Sequence, residues 1–234
     1  MIYLETKILT LCRLIERSMK KLVIFDLDGT ILNTIADLAQ ATNQALKSLK
    51  YPTHPVDSYR FFVGNGINKL FERALPEGEK SMENVLKVRS LFIPYYNEHN
   101  ADFSQPYPGI CKLLACLKEK GLSIAVASNK YQEATEKLVA HYFPEIPFVA
   151  VLGQREGIPT KPDPTIVKDI LKITDFGLED VLYVGDSNVD MQTAQNARVT
   201  AVGVSWGFRP KSELKEGSPL AIIDQACDLL NYLD

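Results

Sequence analysis

Leu22-Val23-Ile24-Phe25-Asp26-Leu27-Asp28-Gly29-Thr30 is the stretch on which the fold turns. Four apolar residues in a row, with no polar alternation, suit a strand buried on both faces. That strand runs straight into two carboxylates and a glycine. Downstream, residues 34–49 set Ile35, Leu38, Ala39, Thr42, Leu46 and Leu49 on one helical stripe. Residues 66–75 repeat the pattern with Ile67, Leu70, Phe71, Ala74 and Leu75, and a third helical stretch covers about 79–97. No convincing strand interrupts the run from Asn33 to about Phe103, so an all-helical module is inserted after the first strand.

From Pro106-Tyr107-Pro108-Gly109 onward, helices and strands alternate. Ile110, Leu113, Leu114 and Leu117 belong to a helix stopped by Gly121, and Leu122 to Ala127 is a buried strand ending at Ser128-Asn129-Lys130. A helix over about 131–141 leads to a strand at Phe148–Leu152. Asp163-Pro164 is expected as the N-cap and first turn of a helix carrying Ile166, Val167, Ile170 and Leu171. The next strand, Val181 to Val184, ends in Gly185-Asp186-Ser187; a short helix from Asp190 and a fifth strand, Thr200–Val204, follow. Strands alternating with helices at this spacing predict an α/β fold with a parallel sheet covered on both faces.

The chain has 234 residues, long enough to bury a core without metal or disulfide staples. With 46% hydrophobic and 24% charged residues it lies far from the disordered regime. Lys and Arg number 26 against 29 Asp and Glu, a net charge of −3 that supplies no basic field for nucleic acid or anionic lipid. Cys12, Cys111, Cys116 and Cys227 form no CxxC pair and read as reduced, buried small hydrophobes. In residues 1–18, Leu4, Ile8, Leu11 and Ile15 fall at helical spacing, but no apolar stretch approaches the ~18 residues of a membrane span. Glu5 and Glu16 are unlike a transit peptide, and a secretory signal would want a longer apolar core. Met19-Lys20-Lys21 reads as an ordinary start, which makes 1–18 an N-terminal extension, with a surface-packed helix as the alternative. The expected location is cytoplasmic.

In open parallel sheets the ligand crevice lies beyond the carboxyl ends of the strands. Asp26 and Asp28, Ser128 and Asn129, and Asp186 with Asp190 are all expected there. Carboxylates so gathered repel one another, and a hard divalent cation, Mg²⁺, is the simplest relief. Lys161, in a loop stiffened by Pro162 and Pro164, can offer an ammonium to the same crevice. Together these groups can move a phosphoryl group: Asp26 attacks phosphorus to give an aspartyl-phosphate, and Asp28 protonates the leaving oxygen and later activates water.

Four motifs, Asp26-Leu27-Asp28-Gly29-Thr30, Ser128-Asn129-Lys130, Lys161-Pro162-Asp163-Pro164 and Gly185-Asp186-Ser187-Asn188-Val189-Asp190, occur in the order of the haloacid dehalogenase-like hydrolases, a family the chain resembles over about 19–234. The resemblance implies a Rossmann-like three-layer core at 19–33 and 104–234 with a helical cap at 34–103. It implies Asp26 as nucleophile, Asp28 as acid/base, and Ser128, Asn129 and Lys161 at the phosphate. It further implies Mg²⁺ on the Asp26 carboxylate, the Asp28 carbonyl and Asp186, with Asp190 supporting metal and lysine from behind. Dehalogenases displace halide without a proton and lack an acid where this chain has Asp28, so dehalogenation is rejected. Val63-Gly64-Asn65-Gly66, Asp190-Met191-Gln192-Thr193-Ala194 and Ser205-Trp206-Gly207-Phe208-Arg209 look most like the phosphoglycolate phosphatase branch. Arg198 departs from it, standing where relatives usually show glycine.

The expected substrate is a small phosphorylated metabolite, 2-phosphoglycolate first, taken by a monomer or homodimer. Pyrophosphate or a sugar phosphate is the nearest alternative, ahead of a phosphomutase or a phospho-acceptor module that does not turn over. Gly64-Asn65-Gly66 is either a substrate loop or a helix start. His54, His99 and His141 are isolated and read as structural. Trp206 and Phe208 are expected to pack, and Arg209 either pairs with a surface acid or reaches a substrate carboxylate.

Overall fold

The computed structural model of the protein describes residues 19–234, so the readings of 1–18 and of Cys12 lie outside the described residues. Strand β1 (Leu22–Phe25) is buried at every position. After it the chain turns into the two-residue strand β2 (Leu32–Asn33) and then runs through α1 (Ile35–Ser48), α2 (Tyr59–Phe62), α3 (Ile67–Ala74) and α4 (Met82–His99). It returns through β3 (Gln105–Pro106), which pairs antiparallel with β2. Exit and re-entry are thereby fastened side by side.

The alternating part comprises α5 (Ile110–Glu119), β4 (Ser123–Tyr131), α6 (Gln132–Tyr142), β5 (Phe148–Gln154), α7 (Thr165–Thr174), β6 (Val181–Gly185), α8 (Asn188–Ala197), β7 (Thr200–Val204), α9 (Lys211–Glu216) and β8 (Ala221–Ile223). The six-stranded sheet has the order β5-β4-β1-β6-β7-β8, and every pair is parallel. Successive side chains of β1 point to opposite faces. Val23 and Phe25 pack with Leu113, Leu117 and Leu138 of α5 and α6, while Leu22 and Ile24 pack with Ile166, Ile170 and Met191 of α7 and α8. This is a Rossmann-like α/β fold with the apolar run of β1 at its centre.

The four helices between β2 and β3 enclose a separate cluster that includes Leu38, Phe71, Val88, Phe92 and Tyr96, joined from the α/β part by Ala134 and Phe208. Asp37, on the first turn of α1 and 1% exposed, accepts hydrogen bonds from the backbone N–H groups of Phe103 and Ser104 and from Ser104 Oγ. It ties the outgoing linker to the returning one. Among the described residues no helix is long and apolar enough to cross a membrane.

Four sequence expectations need correction. β8 is a sixth strand, and its three residues are too few to show a period. β4 continues past Ala127 through Ser128, Asn129 and Lys130, because Tyr131 still pairs with Gln154 of β5 across an irregularity. Helix α7 is preceded by Pro164 rather than capped by Asp163, whose carboxylate instead accepts from Thr165 N at 2.9 Å from one residue further out. Cys111 and Cys227 are exposed and Cys116 half-buried, so the three described cysteines are not core residues. Cys111 and Cys116 lie on α5 and Cys227 on the 3-10 turn Ala226–Tyr232, where the packed stripe passes them by.

Candidate active site

Parallel register brings the functional strands to a common edge. Phe25 is level with Val126 of β4 and Val184 of β6, so Asp26 emerges beside Ala127 and Gly185. Its backbone N–H donates to Val184 O at 2.9 Å. Asp26, Asp28, Ser128, Lys161, Asp186 and Asp190 all line one small cavity of about 50 Å³. The helical segment closes it with Leu38, Val63, Ile67, Leu70 and Phe92.

Lys161 is the hub. Its Nζ donates to Asp26 Oδ1 (2.8 Å), Asp190 Oδ1 (2.7 Å), Ala127 O (2.9 Å) and Tyr183 Oη (3.1 Å). Burial alone would lower this ammonium, but Asp190 and Asp26 beside it more than reverse that and hold it well above the ordinary lysine range. Asp26 is pushed up to about 7, chiefly by burial and further by the charges of Asp190 and Asp28, against the pull of Lys161. Burial, with Asp190 and Asp26 nearby, raises Asp186 well above the carboxylate range too. Asp190 occupies the third helical position of α8, where Ser187 N and Oγ both donate to its Oδ2, at 3.1 and 2.6 Å.

Asp26, Asp186 and Asp190 each offer an oxygen within 4.8 Å of the others. An all-oxygen, anionic, desolvated set of this kind fits a hard divalent cation. Lys161 and Ser187 take both oxygens of Asp190, whereas Lys161 takes only Oδ1 of Asp26, and Asp186 accepts from neutral donors alone, Phe208 N and Thr30 Oγ1, so Asp26 and Asp186 are the better candidates to ligate. The backbone is moulded around Asp186: it accepts from Phe208 N at 2.7 Å, and a Cβ on Gly29 (φ +94°) or on Gly207 would come within 2.3 or 2.2 Å of its side chain. Neither glycine can be replaced without displacing that carboxylate.

The remaining predicted residues divide. Asp28 joins the cavity, accepting from Thr34 Oγ1 at 2.6 Å and from Lys130 Nζ, with both carboxylate oxygens at 3.1 Å. Ser128 is 2% exposed and faces the same space. Asn129 differs from expectation: its amide donates to Gly64 O (2.9 Å) and Lys161 O (3.0 Å) and accepts from Lys161 N (2.8 Å), which leaves no side-chain donor for a phosphate. It braces the lysine loop against the Gly64 turn. Gly64 and Gly66 line the cavity, whereas Asn65 turns its side-chain oxygen to Arg73 Nη2 at 2.8 Å. Trp206 donates to Thr30 O and Phe208 packs, as residues of that type suggest. Arg209 lines the cavity but donates to the carbonyls of Arg60 and Val63 and pairs with Glu213.

The sequence pattern does not single out Lys130, Thr34 or Tyr183. For Lys130 a signal existed: a cation continuing a strand whose other residues are buried needs a buried partner. For Tyr183 the signal was one hydroxyl within the apolar run of β6.

Fold and carboxylate cluster together define a hydrolase of the haloacid dehalogenase-like family, and the chain belongs to it: the profile of that family matches residues 23–204. Particular relatives carry a narrower name. A phosphoglycolate phosphatase of Psychrobacter arcticus is 31% identical over 221 residues, covering 92% of this chain and 96% of the relative. One from Haemophilus influenzae is 32% identical over 219 residues, covering 91% and 98%. A crystal structure from Lactobacillus delbrueckii subsp. bulgaricus, provisionally described as a phosphoglycolate phosphatase, is similar with a TM-score of 0.85 at 32% identity, covering 92% of this chain and 99% of that one.

Proposed function

We propose that the protein is a phosphoric monoester hydrolase whose substrate is a small phosphorylated metabolite, 2-phosphoglycolate first, cleaved through an aspartyl-phosphate on Asp26. The observation that carries this reading is the buried Lys161 ammonium held between Asp26 and Asp190 in a cavity that also presents Asp28, Ser128 and Asp186. The names of the relatives support the same reading.

Asp26 Oδ bonds to phosphorus while the bond from phosphorus to the ester oxygen breaks. Lys161 fixes the Asp26 carboxylate and meets the charge of the incoming phosphate, and the Ser128 hydroxyl can donate to a phosphoryl oxygen. Asp28 delivers a proton to the leaving oxygen, then takes one from the water that attacks phosphorus and frees Asp26 with release of phosphate. Asp26, Asp186 and the Asp28 carbonyl would hold Mg²⁺, which when bound supplies charge neutralisation and in-line orientation at the phosphoryl group. Asn129 serves this centre by position, keeping the Lys161 loop in place.

Residues 34–103 act as the cap over a core of 19–33 and 104–234. Leu38, Val63, Leu70 and Phe92 exclude water from the reacting atoms, and so small a cavity favours a short ester over a nucleotide or polymer. Such an enzyme would work in the cytoplasm. The test is a panel of 2-phosphoglycolate, p-nitrophenyl phosphate, pyrophosphate and a sugar phosphate, each with Mg²⁺ and with EDTA. The expected result is the highest kcat/KM for 2-phosphoglycolate, abolished by EDTA. Turnover of 2-phosphoglycolate no better than that of p-nitrophenyl phosphate would overturn the substrate, and undiminished turnover in EDTA would overturn the metal.

A further inference from the structure

Three cations line the cavity, Lys130, Lys161 and Arg209, and their hydrogen bonds set them apart. Lys161 Nζ already serves four acceptors, more than an ammonium has protons. Arg209 spends its guanidinium on two backbone carbonyls of the helical segment and on Glu213. Lys130 is different. Its side chain is 3% exposed and its one anionic partner among the described residues is Asp28, while the face of Tyr96, 4.8 Å away, covers the ammonium on another side.

To protonate the leaving oxygen, Asp28 must first take up a proton from solvent and leave this ion pair. At that moment a buried ammonium would lose its counter-ion, which the interior does not tolerate unless another anion takes its place. A donating carboxyl comes within about 2.6–3.2 Å of the oxygen it protonates, and Lys130 Nζ lies 3.1 Å from the Asp28 oxygens. A carboxylate on the carbon next to the ester oxygen therefore falls within reach of the same ammonium.

We propose that Lys130 is the residue that reads the substrate's second anionic group, exchanging the Asp28 carboxylate for a carboxylate carried on the carbon adjoining the phosphate ester. The inference rests on the phosphatase reading above and narrows its substrate class to small phosphorylated 2-hydroxy acids. A substrate with an uncharged end leaves Lys130 unpaired and is discriminated against for that reason, since a polar group buried without its partner is the strongest basis for rejection.

The test compares kcat/KM for 2-phosphoglycolate and for 2-hydroxyethyl phosphate, which carry a carboxylate and an uncharged hydroxymethyl group on the same carbon, in the wild-type protein and in Lys130→Gln. Loss of the Asp28 pairing slows both substrates, so the readout is their ratio. The wild type is expected to prefer the carboxylated ester, and the preference is expected to fall about 10- to 100-fold in the variant. Lys130→Met, which keeps the alkyl stem against Tyr96, gives the same reading if the glutamine variant does not fold. Equal loss on both substrates, with the preference intact, overturns the role of Lys130 and leaves the phosphatase reading standing. A wild type with no preference overturns the carboxylated substrate and this role with it.

Discussion

Asp26 owes its position to two facts at the level of single residues: β1 stops being apolar at that point, and a lysine from a distant loop meets it at 2.8 Å. Asp26→Asn keeps the shape and removes the proposed nucleophile, so kcat is expected to fall roughly 10⁴-fold or more with the melting temperature unchanged or raised, because a buried charge is removed. Retention of full activity by this variant would end the aspartyl-phosphate mechanism. Arg198 supplies a second, independent prediction. It ends α8 with φ 60° and ψ 37°, a left-handed conformation natural to glycine. Arg198→Gly is expected to stabilise the protein by about 1 kcal/mol, read in urea unfolding, without altering kcat; a destabilised variant would show that the arginine side chain makes a compensating contact. The carboxylates were legible because acids at strand ends have few structural uses. The job of Asn129 was not, since the sequence next to it says nothing of Gly64 or Lys161, its partners 65 and 32 residues away.

At the scale of elements, what the sequence showed best were segments long enough to display a period. The stripe of α1 and the apolar runs of β1 and β6 were all readable, and each is where its pattern put it. The short pieces escaped. β2 and β3 have two residues each, too few for any alternation, and β3 contains a proline that by itself argues against a strand. Yet this pair, with Asp37, joins the helical segment to the core. Asp37 fills an otherwise apolar helix face with a carboxylate, and three donors from Phe103 and Ser104 satisfy it. Asp37→Ala leaves two backbone N–H groups at the return linker without their acceptor, a loss of about 2–3 kcal/mol. Urea denaturation gives the loss directly, and KM should rise with it as closure over the cavity becomes less well defined. A change under about 0.5 kcal/mol would mean that water replaces the carboxylate and that the two-strand pair alone fixes the junction.

For the whole molecule, the carboxylates proposed to carry the chemistry also oppose folding, and the balance depends on pH. Asp26 titrates near 7 in the folded protein against an ordinary value of 3.8, and Asp186 is shifted in the same direction. In the absence of metal the folded chain therefore binds protons more tightly than the unfolded chain between those two values. Stability from this source is fully present below about pH 4 and is lost as pH rises through about 7. A divalent cation bound at Asp26 and Asp186, as proposed, would compete with those protons and take over their task of offsetting the crowded charge. Its benefit must accordingly be small in acid and large in mild base. Melting temperatures with EDTA and with saturating MgCl₂, measured at about pH 5 and about pH 8, should show a metal-induced rise several degrees larger at the higher pH. Asp186→Asn, with less charge at the site, should reduce that difference. An equal rise at both pH values would show that the cation binds away from these acids, and the same wild-type profile in Asp186→Asn would remove that residue from the site.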